Sequence, residues 1–387
     1  MARFDFEHAV VDTERMANSW QAPAEAAGSD AWGALAVADV DGDGHDEFTV
    51  GGRRPGGGGF LRLYDRDPAG GTWTRHAVTA AFRPGVGATA LDVDGDGRPE
   101  LVAGGWDVEG LRWVTVDPSD PAFGTVRRAR GTGTVDNPHD LLSGDVDGDG
   151  EAEVLAREKD GALVVFDVPD DPARPWDATL VASALDGDGT ALADLADGPG
   201  REVVTNRGWF ERRDGEWVRR PLVPERLDWD DETRVVAADL DGDGDPEVVV
   251  TESELAAKAR LAVLSRGERG AAWNPTVVLP ADLDLRALHS LAVADLDGDG
   301  DPEVVTAEME NGKTDGVEAR PRWWVLDRAG GDWERRAVLD ANLGTHSASV
   351  ADVDGDGRPD LVGTVWRAND VNGRDGLNHV DVLRNRG

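Results

Sequence analysis

A nine-residue acidic pattern, D-x-D-G-D-G-x-x-E, recurs along this 387-residue chain and constrains its fold more than any other feature. Copies begin at Asp39, Asp92, Asp145, Asp239, Asp295 and Asp352; the last ends in Asp360, where the others end in Glu47, Glu100, Glu153, Glu247 and Glu303. Between Asp145 and Asp239 the interval doubles, and a worn copy, Asp194-Leu-Ala-Asp-Gly-Pro-Gly-Arg-Glu202, fills it. Seven units result, with starts 45 to 57 residues apart. A unit of that period cannot bury its apolar face alone, so the copies must pack on one another.

Each unit reads as four short strands. A first enters the acidic loop (Leu35–Ala38, Leu291–Ala294) and a second leaves it (Glu247–Thr251, Glu303–Thr306). A third follows a variable insert (Leu61–Tyr64, Trp323–Leu326), and a fourth has the form of Trp73–Val78 or Trp333–Val338. Four antiparallel strands at this period make a propeller blade, so the chain reads as an all-β, seven-bladed β-propeller in one domain, residues 1–387. The ends provide a test. After Asp352 the chain offers a second strand (Leu361–Val365) and a third (His379–Leu383) and then stops, while Phe6–Val10 has the fourth-strand form. The N-terminal strand is therefore expected to complete the last blade and close the ring.

Aspartates at positions 1, 3 and 5 of a loop set three carboxylates around one point, as in an EF-hand, and glycines at 4 and 6 permit the tight turn. Position 7 would add its backbone carbonyl, and the acid at position 9 would close the shell. The predicted ligands are Asp39, Asp41, Asp43 and Glu47; Asp92, Asp94, Asp96 and Glu100; Asp145, Asp147, Asp149 and Glu153. The later loops supply Asp239, Asp241, Asp243 and Glu247; Asp295, Asp297, Asp299 and Glu303; Asp352, Asp354, Asp356 and Asp360. Hard oxygen ligands in this number favour Ca²⁺ over Mg²⁺ and transition metals. About six structural Ca²⁺ are expected, which would bring the formal net charge from −37 to −25. The worn loop, with Ala196 at position 3 and Pro199 at position 6, is expected to hold none.

These units resemble the FG-GAP and VCBS repeats, including the propeller of integrin α-subunits, over nearly the whole chain. The resemblance implies the propeller and its calcium loops. Such repeats serve adhesins, binding proteins and enzymes alike, so function must be argued from a site.

The loops mark one face, and ligands are expected at the other, at the far ends of the first strands and on the loops joining second to third strands. Six residues before each loop stand Gly33, Val86, His139, Asp188, Thr233, His289 and His346. Three of the seven histidines share this phase, and equivalent ring positions face one axial region. Arg83 and Arg286 precede first strands, and Trp32 and Trp229 lie where the chain enters blades. Trp106, Trp209 and Trp366 follow second strands, with Arg207 and Arg367 beside two of them. Indole faces stack on sugar rings and arginine forks match carboxylates.

The funnel histidines further resemble those of calcium-loop propellers among rhamnose–glucuronate lyases, and of the propeller part of fungal aldos-2-ulose dehydratase. That implies β-elimination on a uronic-acid glycan or keto-sugar held in the central funnel. A histidine would take the proton, Arg83 or Arg286 would steady the enolate-like intermediate, and a second histidine would protonate the leaving oxygen. Tyr64, the single tyrosine, lies on a third strand and is out of reach as the acid. In a variant of this reading His139, His289 and His346, with Asp188, hold a catalytic divalent ion. The alternative is a non-catalytic, calcium-stabilised propeller for adhesion or scaffolding.

Composition narrows the partners. With 77 acids against 40 bases, the surface repels nucleic acid and anionic membranes. There are no cysteines, so disulfides and thiolate metal sites are excluded. No apolar run is long enough for a membrane span. No G-x-S-x-G, H-E-x-x-H or P-loop pattern occurs. The N-terminus lacks a signal-peptide stretch, which predicts a cytoplasmic protein as written, or a secreted one if a leader has been trimmed. A monomer is expected.

Overall fold

The computed structural model describes residues 4–15, 31–54, 58–67, 70–106, 108–222, 229, 231–254, 258–267, 269, 271–309, 320–329, 331–367 and 377–387. They form seven four-stranded antiparallel sheets, one per acidic repeat. The blade-one strands are Ala31–Ala38, Glu47–Arg53, Gly59–Arg66 and Trp73–Thr79, laid side by side in chain order, and the next five blades follow the same plan. First strands pack on first strands around the axis, and that of blade seven (Ser347–Ala351) returns to that of blade one.

Blade seven takes its outermost strand from the other terminus. Phe6–Arg15 pairs antiparallel with Leu377–Asn385, from Phe6 opposite Asn385 to Arg15 opposite Leu377, with a bulge between Val10 and Asp12. Beneath this closure lies a buried polar clasp. His8 Nε2 meets Asp381 Oδ1 at 2.7 Å and His379 Nδ1 bonds the other carboxylate oxygen. Burial works against the Asp381 carboxylate, but His379 and His8 hold its pKa below the usual range.

The apolar cores lie between blades. Val93, Val102, Leu111 and Trp113 of blade two pack on Leu141, Val154, Val164 and Phe166 of blade three. Trp32, Phe48 and Tyr64 of blade one pack on Val362, Val380 and Val382 of blade seven. Second strands are buried on both faces, as in Glu247–Glu252 and Asp360–Thr364, which is why they read as runs of valine rather than alternations. No described helix is long and apolar enough to cross a membrane.

Candidate functional site

The acidic loops share one internal scaffold. The position 1 carboxylate accepts the N–H groups of the glycines at positions 4 and 6, at 2.7 and 3.0 Å for Asp39 and 2.8 and 2.8 Å for Asp239. Both glycines have positive φ, 76° and 91° at Gly42 and Gly44, where a side chain would be strained. The acid at position 9 clasps the backbone: Glu47 accepts from Val40 N at 3.0 Å, Glu303 from Leu296 N at 2.7 Å and Asp360 from Val353 N at 3.2 Å. The carboxylates fit a hard cation. Asp39, Asp41 and Asp43 bring oxygens within 4.8 Å of one another, as do Asp92, Asp94 and Asp96. In blades three and five the group is Asp145, Asp147 and Glu153, and Asp239, Asp241 and Glu247.

The worn loop differs as its sequence suggests. Glu202 keeps the clasp, on Leu195 N at 2.7 Å. A guanidinium lies where charge is required: Arg269 Nη1 is 2.9 Å from Asp194 Oδ1, and its Nε is 2.8 Å from Asp245 Oδ1 of the next loop.

At the other end of the inner strands the three histidines meet. His139 from blade three lies with its ring 6.3 Å from that of His289, and His289 stacks on His346 at 3.8 Å. They line a central channel of about 370 Å³, whose walls continue in apolar residues such as Leu142, Leu192, Val236 and Leu291. Each ring is held by a neighbour. His289 Nδ1 donates to the His346 carbonyl at 2.6 Å, leaving Nε2 with the lone pair. His139 Nδ1 faces Asp140 Oδ1 at 3.2 Å, with Asp188 Oδ2 and Arg234 Nη1 each 3.5 Å away. His346 Nδ1 lies 3.1 Å from Ser347 Oγ, and its buried Nε2 has no hydrogen-bond partner.

Beside Asp140, two further charged residues outside the predicted set, Arg234 and Glu254, complete this cluster. Arg234 places Nη2 2.7 Å from His289 Nε2, Nε 3.0 Å from the His289 carbonyl and Nη1 3.3 Å from Asp188 Oδ2. Glu254 points one oxygen at His289 Nε2 (3.6 Å) and His346 Nε2 (3.8 Å), and the other at Lys159 Nζ (3.5 Å). Burial, reinforced by Arg234, lowers His289 well below the ordinary imidazole range, and burial lowers His346 to about 4. Both rings are therefore neutral at physiological pH. Burial alone would raise Asp140, but His139 and Arg234 hold it below the carboxylate range.

The nitrogens of His289 and His346 and a carboxylate oxygen of Glu254 lie within 4.8 Å of one another. Ligands bound at about 2.1 Å to one ion stand roughly 3.0–3.4 Å apart, so the three groups would have to draw closer, and Arg234 to leave His289 Nε2, before they could hold a divalent cation. The orphaned Nε2 of His346 fits that group. Asp188 belongs to the protein instead: its Oδ1 accepts Thr233 N at 2.7 Å.

The predicted aromatic and basic residues separate into two groups. Trp366 stacks on His346 at 5.0 Å and stands 5.8 Å from Trp106, with Arg53 4.0 Å over the Trp106 ring and Arg367 5.8 Å from that of Trp366. These form an aromatic shelf continuous with the histidines. Trp32 is fully buried and packs on Phe60 in the core, so it cannot be a ligand platform. Trp229 is 4% exposed and lies under Arg260. Arg207 is tied to Asp231 at 2.6 Å. Arg286 lines a separate cleft with Arg320, Arg322 and Glu308, and Arg83 serves through its carbonyl, which accepts Trp106 N at 3.0 Å. Arg234 occupies the place expected of Arg83 or Arg286.

A signal for Arg234 was present in the repeat. One residue beyond the histidine phase stand Ala34, Gly87, Asp140, Gly189, Arg234, Ser290 and Ser347, and the two charged members are both in the cluster. Glu254 follows the second strand of blade five, on the class of loop expected to carry function.

The FG-GAP-like repeat family matches residues 39–103, 92–156 and 295–363. No curated protein is similar to the chain in sequence. Among solved structures, the WD40 domain of coronin from Toxoplasma gondii matches with a TM-score of 0.51 at 10% identity, over 98% of this chain and 88% of that one. The rhamnogalacturonan lyase YesW matches with a TM-score of 0.49 at 16% identity, over 97% of this chain and 75% of its own. At these identities the likeness is one of fold.

Proposed function

For this seven-bladed propeller of FG-GAP-like repeats, we propose the activity of a carbon–oxygen lyase, or sugar dehydratase, on a saccharide bearing a carboxylate or ketone. One observation carries the reading: His139, His289, His346, Arg234 and Glu254, from four blades, converge at the channel beside the Trp106–Trp366 shelf.

His139 is the base. Its Nδ1 would donate to Asp140, which frees Nε2 to take the proton α to the carboxylate or ketone. The C–H electron pair forms the new double bond while the β carbon–oxygen bond breaks. The imidazolium then returns its proton to the leaving oxygen on the same face of the sugar. Arg234 stabilises the enolate-like charge, and Trp106 and Trp366 stack the ring. Glu254, His289 and His346 would hold a divalent ion, which when bound supplies Lewis-acid polarisation of the carbonyl oxygen. Arg234 would have to leave His289 Nε2 for that ion. The acidic loops would hold about six structural Ca²⁺.

The test is a panel of uronate glycans and keto-sugars, followed by ultraviolet absorbance of new unsaturation. His139→Ala and Arg234→Gln should each lose at least a hundredfold in kcat. Absence of product across the panel, or undiminished turnover in both variants, refutes the reading. Metal analysis tests the ion separately: Glu254→Gln should lose one equivalent of bound divalent metal while the loop Ca²⁺ stays.

A further inference from the structure

A second cleft, of about 700 Å³, runs between blades four and five from the worn loop along the third and fourth strands of blade four, away from the histidine channel. Its walls include the indoles of Trp209 and Trp273, 7% and 6% exposed, and four arginines, Arg213, Arg220, Arg266 and Arg269, against two acids, Asp197 and Glu211. In a chain of net charge −37, a cleft with two more cations than anions runs against the whole.

The arginines are only partly satisfied from within. Arg213 and Arg220 both lean on one oxygen of Glu211, at 2.9 and 2.5 Å. Arg266 is 4% exposed, lies 4.8 Å over the Trp273 ring, and its buried Nε has no hydrogen-bond partner. Arg269 is committed to the worn loop, where it stands in for a cation. Loss of position 3 to Ala196 removes an acid from this rim and puts a methyl group in the lining.

We propose that this cleft is a second, non-catalytic binding site for an acidic saccharide unit. The guanidinium forks of Arg213 and Arg220 would take its carboxylate, and the apolar rim of Ala196, Pro221 and Ala272 would take the apolar face of the ring. The assignment does not depend on the channel being catalytic.

The test is calorimetric titration of the His139→Ala/Arg234→Gln double variant, which disables the channel site, with a glucuronate-containing oligosaccharide. Its carboxyl-reduced counterpart and sodium sulfate serve as controls. One binding event should persist in that background, and Arg213→Gln, at an exposed position, should weaken it about tenfold. Glu211→Gln, which releases both arginines, should tighten it several-fold. No binding in the double variant, equal binding of the neutral glycan, or insensitivity to both substitutions would overturn the proposal. Equal binding of sulfate would reduce the cleft to an anion hole and overturn the saccharide assignment.

Discussion

If the acidic loops hold Ca²⁺ as proposed, its removal should destabilise this protein in a strongly pH-dependent way, and the position 9 acids set the size of the effect. Burial, aided by the neighbouring aspartates, pushes Glu47 up to about 8 and Glu100, Glu247, Glu303 and Asp360 up to about 7 in the metal-free loops. Folded values raised above unfolded ones mean stability that is complete below about pH 4.5 and lost as pH rises through 7 to 8. At 1.36 kcal/mol per pH unit each acid costs roughly 3–5 kcal/mol, and solvent screening at surface loops about halves that. Five loops together lose on the order of 10 kcal/mol, and with ~2.1 cal/mol/K of unfolding entropy per residue the Tm falls by about 10 °C. Bound Ca²⁺ keeps the acids ionised and paired, which abolishes the slope. Differential scanning fluorimetry from pH 5 to 8, with excess Ca²⁺ or EDTA, reads this directly. The gap between the two curves should be small at pH 5 and about 10 °C at pH 8. Parallel curves, or a gap that narrows as pH rises, would refute the reasoning.

Arg269→Gln should lower stability by about 1–3 kcal/mol, because it leaves Asp194 and Asp245 facing each other. Added Ca²⁺ should not restore the lost Tm, since the worn loop lacks the ligands. Asp381→Asn should cost about 2–4 kcal/mol and raise amide exchange along Phe6–Arg15, as the clasp on His8 and His379 joins the two ends of the chain. His379 and His8 hold the Asp381 carboxyl below the usual carboxylate range, so acid titration of Asp381 should not open the clasp within that range. If a divalent ion sits at the channel histidines, Co²⁺ binding followed by its visible absorbance should fade towards pH 4, where His346 protonates, rather than at an ordinary histidine value.

The fold was legible because a repeat states its rule seven times. A valine-rich second strand such as Glu247–Glu252 is ambiguous alone but unambiguous beside six copies in register with an acidic loop. Phe6–Val10 became readable only because blade seven lacked a strand. The site was half legible. His139, His289 and His346 emerge from phase alone, since equivalent positions in a ring share an axis. Glu254 does not, because the loops after second strands vary in length and conformation. Trp32 was misread for a related reason: an indole at the entrance to a blade can turn to the mouth or between blades, and Phe60 and the blade-seven valines made the second choice favourable. Arg83 and Arg286 were placed by sequence proximity to first strands, whereas the guanidinium beside the imidazoles belongs to the strand itself, at Arg234.

Where the repeat obeys its own rule it builds structure, so departures from the rule deserve the functional hypotheses. At the histidine phase a uniform residue would give a symmetric plug. Gly33 and Val86 on one side and His139, Asp188, Thr233, His289 and His346 on the other give an asymmetric channel, with its charge collected beside blades three to seven. The same holds at the opposite ends of these strands. Six loops carry the full set of carboxylates, and the seventh, which lacks it, lies beside Arg269 and an arginine-lined cleft. Blade four thus presents a basic surface where the other blades present acidic turns, while the Glu202 clasp keeps the backbone contact that the other loops make.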